Sequence, residues 1–143
     1  MFSTKFRRNR IATAWQPQLY EYLGGILRER DGICLQIGGM SDHVHILAKL
    51  SPKIAIMDVL RDVKAVSSKW INDQRDVQDH FEWQIGYGAF SVSRSNVKSV
   101  QQYIRDQAVH HQRLTFKEEF IAFLKRHEVD FDLKYVFEEE HFS

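Results

Sequence analysis

Apolar positions recur along this chain in two periods, and their order predicts its elements. Leu19, Leu23, Ile26 and Leu27 repeat at helical spacing behind Pro17, so a helix is expected from about Gln16 to a stop at Asp31-Gly32. Ile33 to Ile37 reads as a buried strand. Gly38-Gly39 and Ser41-Asp42 then turn the chain into an alternating run. In that run His43, His45 and Leu47 share one strand face, and Val44, Ile46 and Ala48 share the other. After Ser51-Pro52, the spacing of Ile56, Val59, Leu60, Val63, Val66 and Trp70 marks a second helix that ends at Asn72-Asp73, with a polar loop through Asp79. Phe81 to Gln84 and Ile85 to Val92 read as one or two strands, their glycines marking a bend or bulge.

Ser95-Asn96 caps a third predicted helix, Val97 to about Gln112, with Val100, Ile104, Ala108 and His111 as its buried stripe. Tyr103 and Gln107, four apart, stack on a neighbouring stripe. Thr115 and Glu118 form a capping box that opens a fourth helix, whose apolar side is Phe116, Phe120, Phe123 and Leu124. Beyond it Phe131, Leu133, Tyr135, Val136 and Phe137 need a surface to dock on before the acidic end, Glu138-Glu139-Glu140. With Phe2-Ser3-Thr4 as the end of a first strand, the expected class is α+β. Its order predicts a ferredoxin-like (RRM-like) β-α-β-β-α-β core: an antiparallel sheet with helices on one face, plus C-terminal helices. The 143 residues fit a single domain, 1–143.

Charge narrows the choice of partners. Twenty Lys and Arg against nineteen Asp and Glu leave a net +1, so any nucleic-acid face must come from local clustering. Lys5, Arg7, Arg8 and Arg10, interleaved with Phe6, supply one such cluster as a candidate DNA-binding loop. The single Cys34 excludes an intramolecular disulfide. No apolar run is long enough to span a membrane, and the N-terminus lacks the apolar core of a signal peptide, so a cytoplasmic protein is expected.

The candidate chemistry starts at His43 and His45. Two neutral imidazoles side by side on one strand face can reach a single metal ion. Two partly buried, space-filling histidines are the commoner meaning of so short a pattern, so the pair gains weight only from residues some sixty positions downstream. Tyr103 offers a phenol and Gln107 a carbonyl oxygen one helical turn on. A divalent ion held by two imidazoles and an amide oxygen keeps positions open for a phosphate group, and a tyrosine beside it is a possible nucleophile. A free phenol, with a pKa of about 10, is mostly protonated at neutral pH and needs activation.

Three stretches resemble the IS200/IS605-type single-tyrosine (Y1) transposases of the HUH endonuclease superfamily, including the REP-associated tyrosine transposases. They are Asp42-His43-Val44-His45-Ile46-Leu47, Gly86-Tyr87-Gly88-Ala89-Phe90-Ser91-Val92-Ser93 and Tyr103-Ile104-Arg105-Asp106-Gln107. Ser67-Ser68-Lys69-Trp70-Ile71 and His110-His111 extend the likeness. The resemblance implies that His43, His45 and Gln107 bind Mg²⁺ or Mn²⁺ and that Tyr103 is the nucleophile. It implies cleavage and rejoining of single-stranded DNA at hairpin-marked ends through a 5′-phosphotyrosine. It also implies a homodimer, in which His43 and His45 of one chain can face Tyr103 of the other.

Three rivals compete with this reading. A histidine-triad hydrolase needs a third histidine where Leu47 stands. A non-catalytic single-stranded nucleic-acid-binding module of the same fold would use sheet aromatics for stacking. A domesticated relative acting on genomic palindromic repeats would share the chemistry.

Overall fold

The computed structural model describes residues 1–74, 80–111 and 114–126. Among the described residues the sheet is antiparallel, with three strands: β1 (Phe2–Ser3), β2 (Ile33–Met40) and β3 (His43–Lys49), in the order β1-β3-β2. Helix α1 (Gln16–Glu29) connects β1 to β2, and α2 (Ile56–Gln74) follows β3, in the predicted order. The fold class is α+β, as the periodicity predicts.

One face of the sheet carries the main core. Val44 is fully buried there among Leu19, Leu23, Ile26 and Leu27 of α1 and Val59, Val63 and Ile71 of α2, with Ile46 and Ala48 packed against the cluster. Each such side chain taken fully out of water contributes roughly 1.5–3 kcal/mol before conformational entropy is counted. The buried line of α2 runs through Val59, Val63, Ser67 and Ile71, while Ile56, expected on the apolar stripe, is exposed. Ser67 is tolerated in that line because it accepts a hydrogen bond from Trp83 Nε1 at 2.9 Å.

Expectations need correcting in three regions. Gly38 and Gly39 are strand residues, not turn residues, and the hairpin turn is Ser41-Asp42 alone, closed by the Met40–His43 pair. A β-carbon on Gly38 would lie 2.3 Å from the carbonyl oxygen of Ile104, so glycine here lets a helix backbone lie directly on the strand. Strand β2 is also not buried: as a sheet edge it leaves Ile33 and Leu35 exposed.

The second correction concerns residues 81–92, which form no regular strand. Residues 82–88 nonetheless bond to the first strand as a fourth strand would: Lys5 N–H to Glu82 O (3.0 Å), Gln84 N–H to Ser3 O (2.9 Å) and Gly88 N–H to Met1 O (2.9 Å). Two extra residues bulge out between Gln84 and Gly88. Lys64 Nζ draws the bulge outward, donating to the carbonyls of Gln84, Ile85 and Gly86 at 2.8, 3.1 and 2.6 Å. Phe81 and Trp83 stay fixed, with the Asn72 side chain bridging the Phe81 backbone and Trp83 packed edge-on against Phe2.

The third correction is that the predicted long helix is two pieces, α3 (Val97–Arg105) and α4 (Gln107–His110), broken at Asp106. The break changes the phase, so Gln107 is buried in place of Ala108, which is exposed. Helix α5 (Phe116–Arg126) begins as the capping box predicts, with Glu118 N–H donating to Thr115 Oγ1 at 3.2 Å. Helices α3 to α5 cover the sheet face opposite α1 and α2. The aromatic tail from Phe131, like the loop expected through Asp79, lies outside the described residues.

Candidate active site

Strand alternation turns His43 and His45 toward α3, α4 and α5, where both are buried, with ring centroids 5.1 Å apart. The hairpin turn sets the first ring: His43 Nδ1–H donates to Asp42 Oδ1 at 2.6 Å. A neutral ring that gives up this proton presents a bare Nε2 on its other side. That Nε2 faces Gln107 Oε1 at 2.9 Å. Two acceptors so close require a proton or a metal ion between them, and the donor types present suit a divalent ion.

The structure brings together all four residues expected to carry the chemistry. Within a single chain, the Tyr103 ring lies 5.9 Å from that of His45. Gln107 reaches the site because the break at Asp106 turns it inward. The basic loop sits beside them, at the same end of the sheet. Its backbone hangs on the hairpin turn through Thr4 N–H to Asp42 O (2.8 Å) and Arg10 N–H to Ser41 O (3.0 Å). Within the loop, Lys5 is engaged in an ion pair with Glu82 at 2.7 Å, and Arg8 lies 5.2 Å from the Phe6 ring centroid. Phe6 and Arg7 both hold positive φ, 58° and 53°, a strained backbone for bulky side chains and one that clusters at functional sites.

Two further residues complete the cluster. Glu119 of α5 is 2 % exposed, and His111 follows α4. His45 Nε2–H donates to Glu119 Oε1 at 2.8 Å, and that oxygen lies 3.3 Å from His111 Nε2 and 3.6 Å from His43 Nε2. The second oxygen, Oε2, accepts hydrogen bonds from Gln107 Nε2 at 3.3 Å and from the Tyr103 hydroxyl. Helical spacing assigns His111 to a buried stripe and nothing more, and it does not single out Glu119. The one signal for Glu119 is a carboxylate set within the apolar face of Phe116, Phe120 and Phe123.

The electrostatics follow from burial and contact. Burial lowers the His45 pKa to about 4 against the opposing pull of Glu119, so its ring is neutral at pH 7. Burial pushes Glu119 upward, but the hydrogen bonds from His45 and then Tyr103 are among the influences that outweigh it and hold the carboxyl at about 2. Burial, then the hydrogen bond and charge of Glu119, push the Tyr103 phenol well above its ordinary value. The tyrosine is therefore protonated at rest, and needs activation to attack.

The fold is shared with a solved structure, that of a candidate transposase from Deinococcus radiodurans R1 at 1.90 Å resolution. The TM-score is 0.57 at 22% identity, over 74% of this chain and 85% of that one. The family model for IS200-like transposases matches residues 1–107, most of the chain, and the protein belongs to that family. No curated protein matches it. A transposase function, and with it action on DNA, follows from the family. His111 and Glu119 lie beyond the matched residues. No helix among the described residues is long and apolar enough to cross a membrane.

Proposed function

We propose that the protein is a metal-dependent Y1 transposase that cleaves and rejoins single-stranded DNA at hairpin-marked ends, the 143 residues acting as one domain. The observation that carries this reading is the convergence of Tyr103, His43, His45 and Gln107 on one buried point. His43, His45 and Gln107 hold a divalent ion, Mg²⁺ or Mn²⁺, with Asp42 orienting the first ring. When bound, that ion polarises a phosphate and stabilises charge on the leaving oxygen.

Tyr103 is the nucleophile. Its oxygen forms a bond to phosphorus as the bond from phosphorus to the 3′ oxygen breaks. The phenol proton leaves Tyr103 and a proton ends on the released 3′-OH, with a 5′-phosphotyrosine as the intermediate. An incoming 3′-OH reverses the step. One phosphodiester is exchanged for another, so no external energy is required. The aromatic rings of Phe116 and Phe123 around His43 and Tyr103 keep bulk water from competing.

Lys5, Arg7, Arg8 and Arg10 provide phosphate contacts beside the site. The exposed Phe6 ring between Lys5 and Arg8 suits base stacking. It would serve a non-catalytic single-stranded binding module equally well. The working particle is a homodimer, because exchange needs two strands cut together. The contact of Tyr103 with Glu119 and His45 within one chain favours self-contained sites over sites shared between subunits.

The test is incubation with labelled single-stranded DNA from the flanking genomic sequence plus Mn²⁺, read on a denaturing gel. Wild type gives a covalent adduct, and Tyr103→Phe gives none while still binding DNA. An adduct that survives in Tyr103→Phe refutes the assignment, and a wild type that binds without any adduct favours the binding module.

A further inference from the structure

We infer that His111 and Glu119 are metal ligands as well, and that this five-donor site selects a six-coordinate transition ion such as Mn²⁺ or Co²⁺ over Mg²⁺. The inference rests on the metal reading above and deepens it, adding two ligands and clamping α5 to the sheet.

The geometry is the first support. The ligand atoms of His43, His45, His111 and Glu119 all lie within 4.8 Å of one another. Glu119 Oε1 is 2.8, 3.3 and 3.6 Å from the Nε2 atoms of His45, His111 and His43. Gln107 Oε1 is 2.9 and 3.2 Å from those of His43 and His111. Ligands held about 2.1 Å from a common ion sit roughly 3–3.5 Å apart. Five of the ten pairs among these three ring nitrogens and two oxygens therefore already stand close to the separations of a coordination shell, at 2.8–3.6 Å.

The hydrogen-bond arithmetic is the second support. His43 gives its Nδ1 proton to Asp42, so a neutral His43 has none left for either oxygen near its Nε2. A cation at the common point satisfies all five atoms once it displaces the Nε2 proton that His45 gives to Glu119.

The donor chemistry then chooses the ion. Three imidazoles favour a transition ion over Mg²⁺, and the carboxylate and amide oxygen keep the set open to Mn²⁺ as well as to ions higher in the affinity series such as Co²⁺. Mg²⁺ prefers oxygen and retains several waters. His43, Gln107 and Glu119 are 0, 1 and 2 % exposed, which leaves little room for a hydrated ion. With five protein donors, a six-coordinate ion keeps one place for a phosphate oxygen.

The experiment uses full-length protein stripped of metal with a chelator, then titrated separately with Mn²⁺, Co²⁺ and Mg²⁺. Binding is followed by calorimetry, thermal stability and, for Co²⁺, visible absorption. Mn²⁺ and Co²⁺ should bind at least tenfold more tightly than Mg²⁺ and raise the melting temperature. Glu119→Gln and His111→Gln should each weaken Mn²⁺ binding by roughly tenfold or more. Circular dichroism of the metal-free variants checks that they fold. As a measurement independent of any variant, Mn²⁺ should slow hydrogen exchange across residues 116–126 of the wild type.

Wild-type Mn²⁺ affinity in both variants, an Mg²⁺ preference, or unchanged exchange in α5 overturns the inference. If His43→Ala abolishes metal binding while Glu119→Gln and His111→Gln leave it intact, the added ligands fail and the proposed function stands. An adduct persisting in Tyr103→Phe fails the function alone.

Discussion

Gly38→Ala adds a single methyl group to a strand that contributes no functional side chain of its own, yet it should damage the site. The new β-carbon would lie 2.3 Å from the Ile104 carbonyl oxygen, 2.8 Å from Ile104 Cγ2 and 3.1 Å from the Ile104 carbonyl carbon. Two of these are backbone atoms of α3, so no side-chain rotation relieves the clash. Strand β2 is held by its pairing to β3, with Gly38 opposite His45. The helix is the part that must move, by about 1 Å. Ile104 follows Tyr103 directly, so the Tyr103 hydroxyl, the proposed nucleophile, moves with it relative to Glu119 and His45. Overpacking of this kind costs about 1–3 kcal/mol. In a domain of this size that lowers the melting temperature by roughly 3–10 °C. A misplacement near 1 Å in a reacting group costs about a hundredfold in rate. Thermal denaturation gives the first quantity, and the initial rate of adduct formation on single-stranded DNA gives the second. Wild-type melting with a wild-type rate would refute the close packing of α3 on Gly38. Lower stability with an undiminished rate would refute the link from that packing to Tyr103.

Two other perturbations test the surroundings of the site. Lys64→Met leaves the Gln84, Ile85 and Gly86 carbonyls without their ammonium and should cost about 2 kcal/mol. The Gly88 amide should then exchange faster by NMR, and unchanged protection there would contradict the role given to Lys64. Metal-free protein should lose stability on acidification in two stages. His45, about 4 when folded against 6.5 when unfolded, lets the unfolded chain bind more protons as pH falls from 6.5 toward 4. Glu119, about 2 against 4.5, extends the loss as pH falls from 4.5 toward 2. Urea titrations across this range should show His45→Gln flattening the upper stage, and a slope unchanged by that substitution would count against the buried neutral ring.

Much of the architecture is legible in the sequence because it is set by local periodicity. The α1 stripe of Leu19, Leu23, Ile26 and Leu27 is buried as its spacing requires, and the Thr115–Glu118 capping box opens α5. Alternation alone puts His43 and His45 on one face, and the four-residue step places Tyr103 near Gln107. What the sequence could not determine depends on contacts between distant segments. The strand at 82–88 is broken because Lys64, far from it in the chain, takes its carbonyls. Gly38 is a strand residue because it pairs with His45, and glycine is required there because a helix from much later in the chain lies against it. The inward turn of Gln107 comes from a helix break at Asp106, which leaves no mark in hydrophobic spacing. Glu119 and His111 join the site only through tertiary packing. A carboxylate on the apolar side of α5 is unfavourable when that helix is considered alone, since burying an unpaired charge is costly. It becomes stable there because three imidazoles, an amide and a phenol from other elements meet it, and only the folded chain brings them to one point.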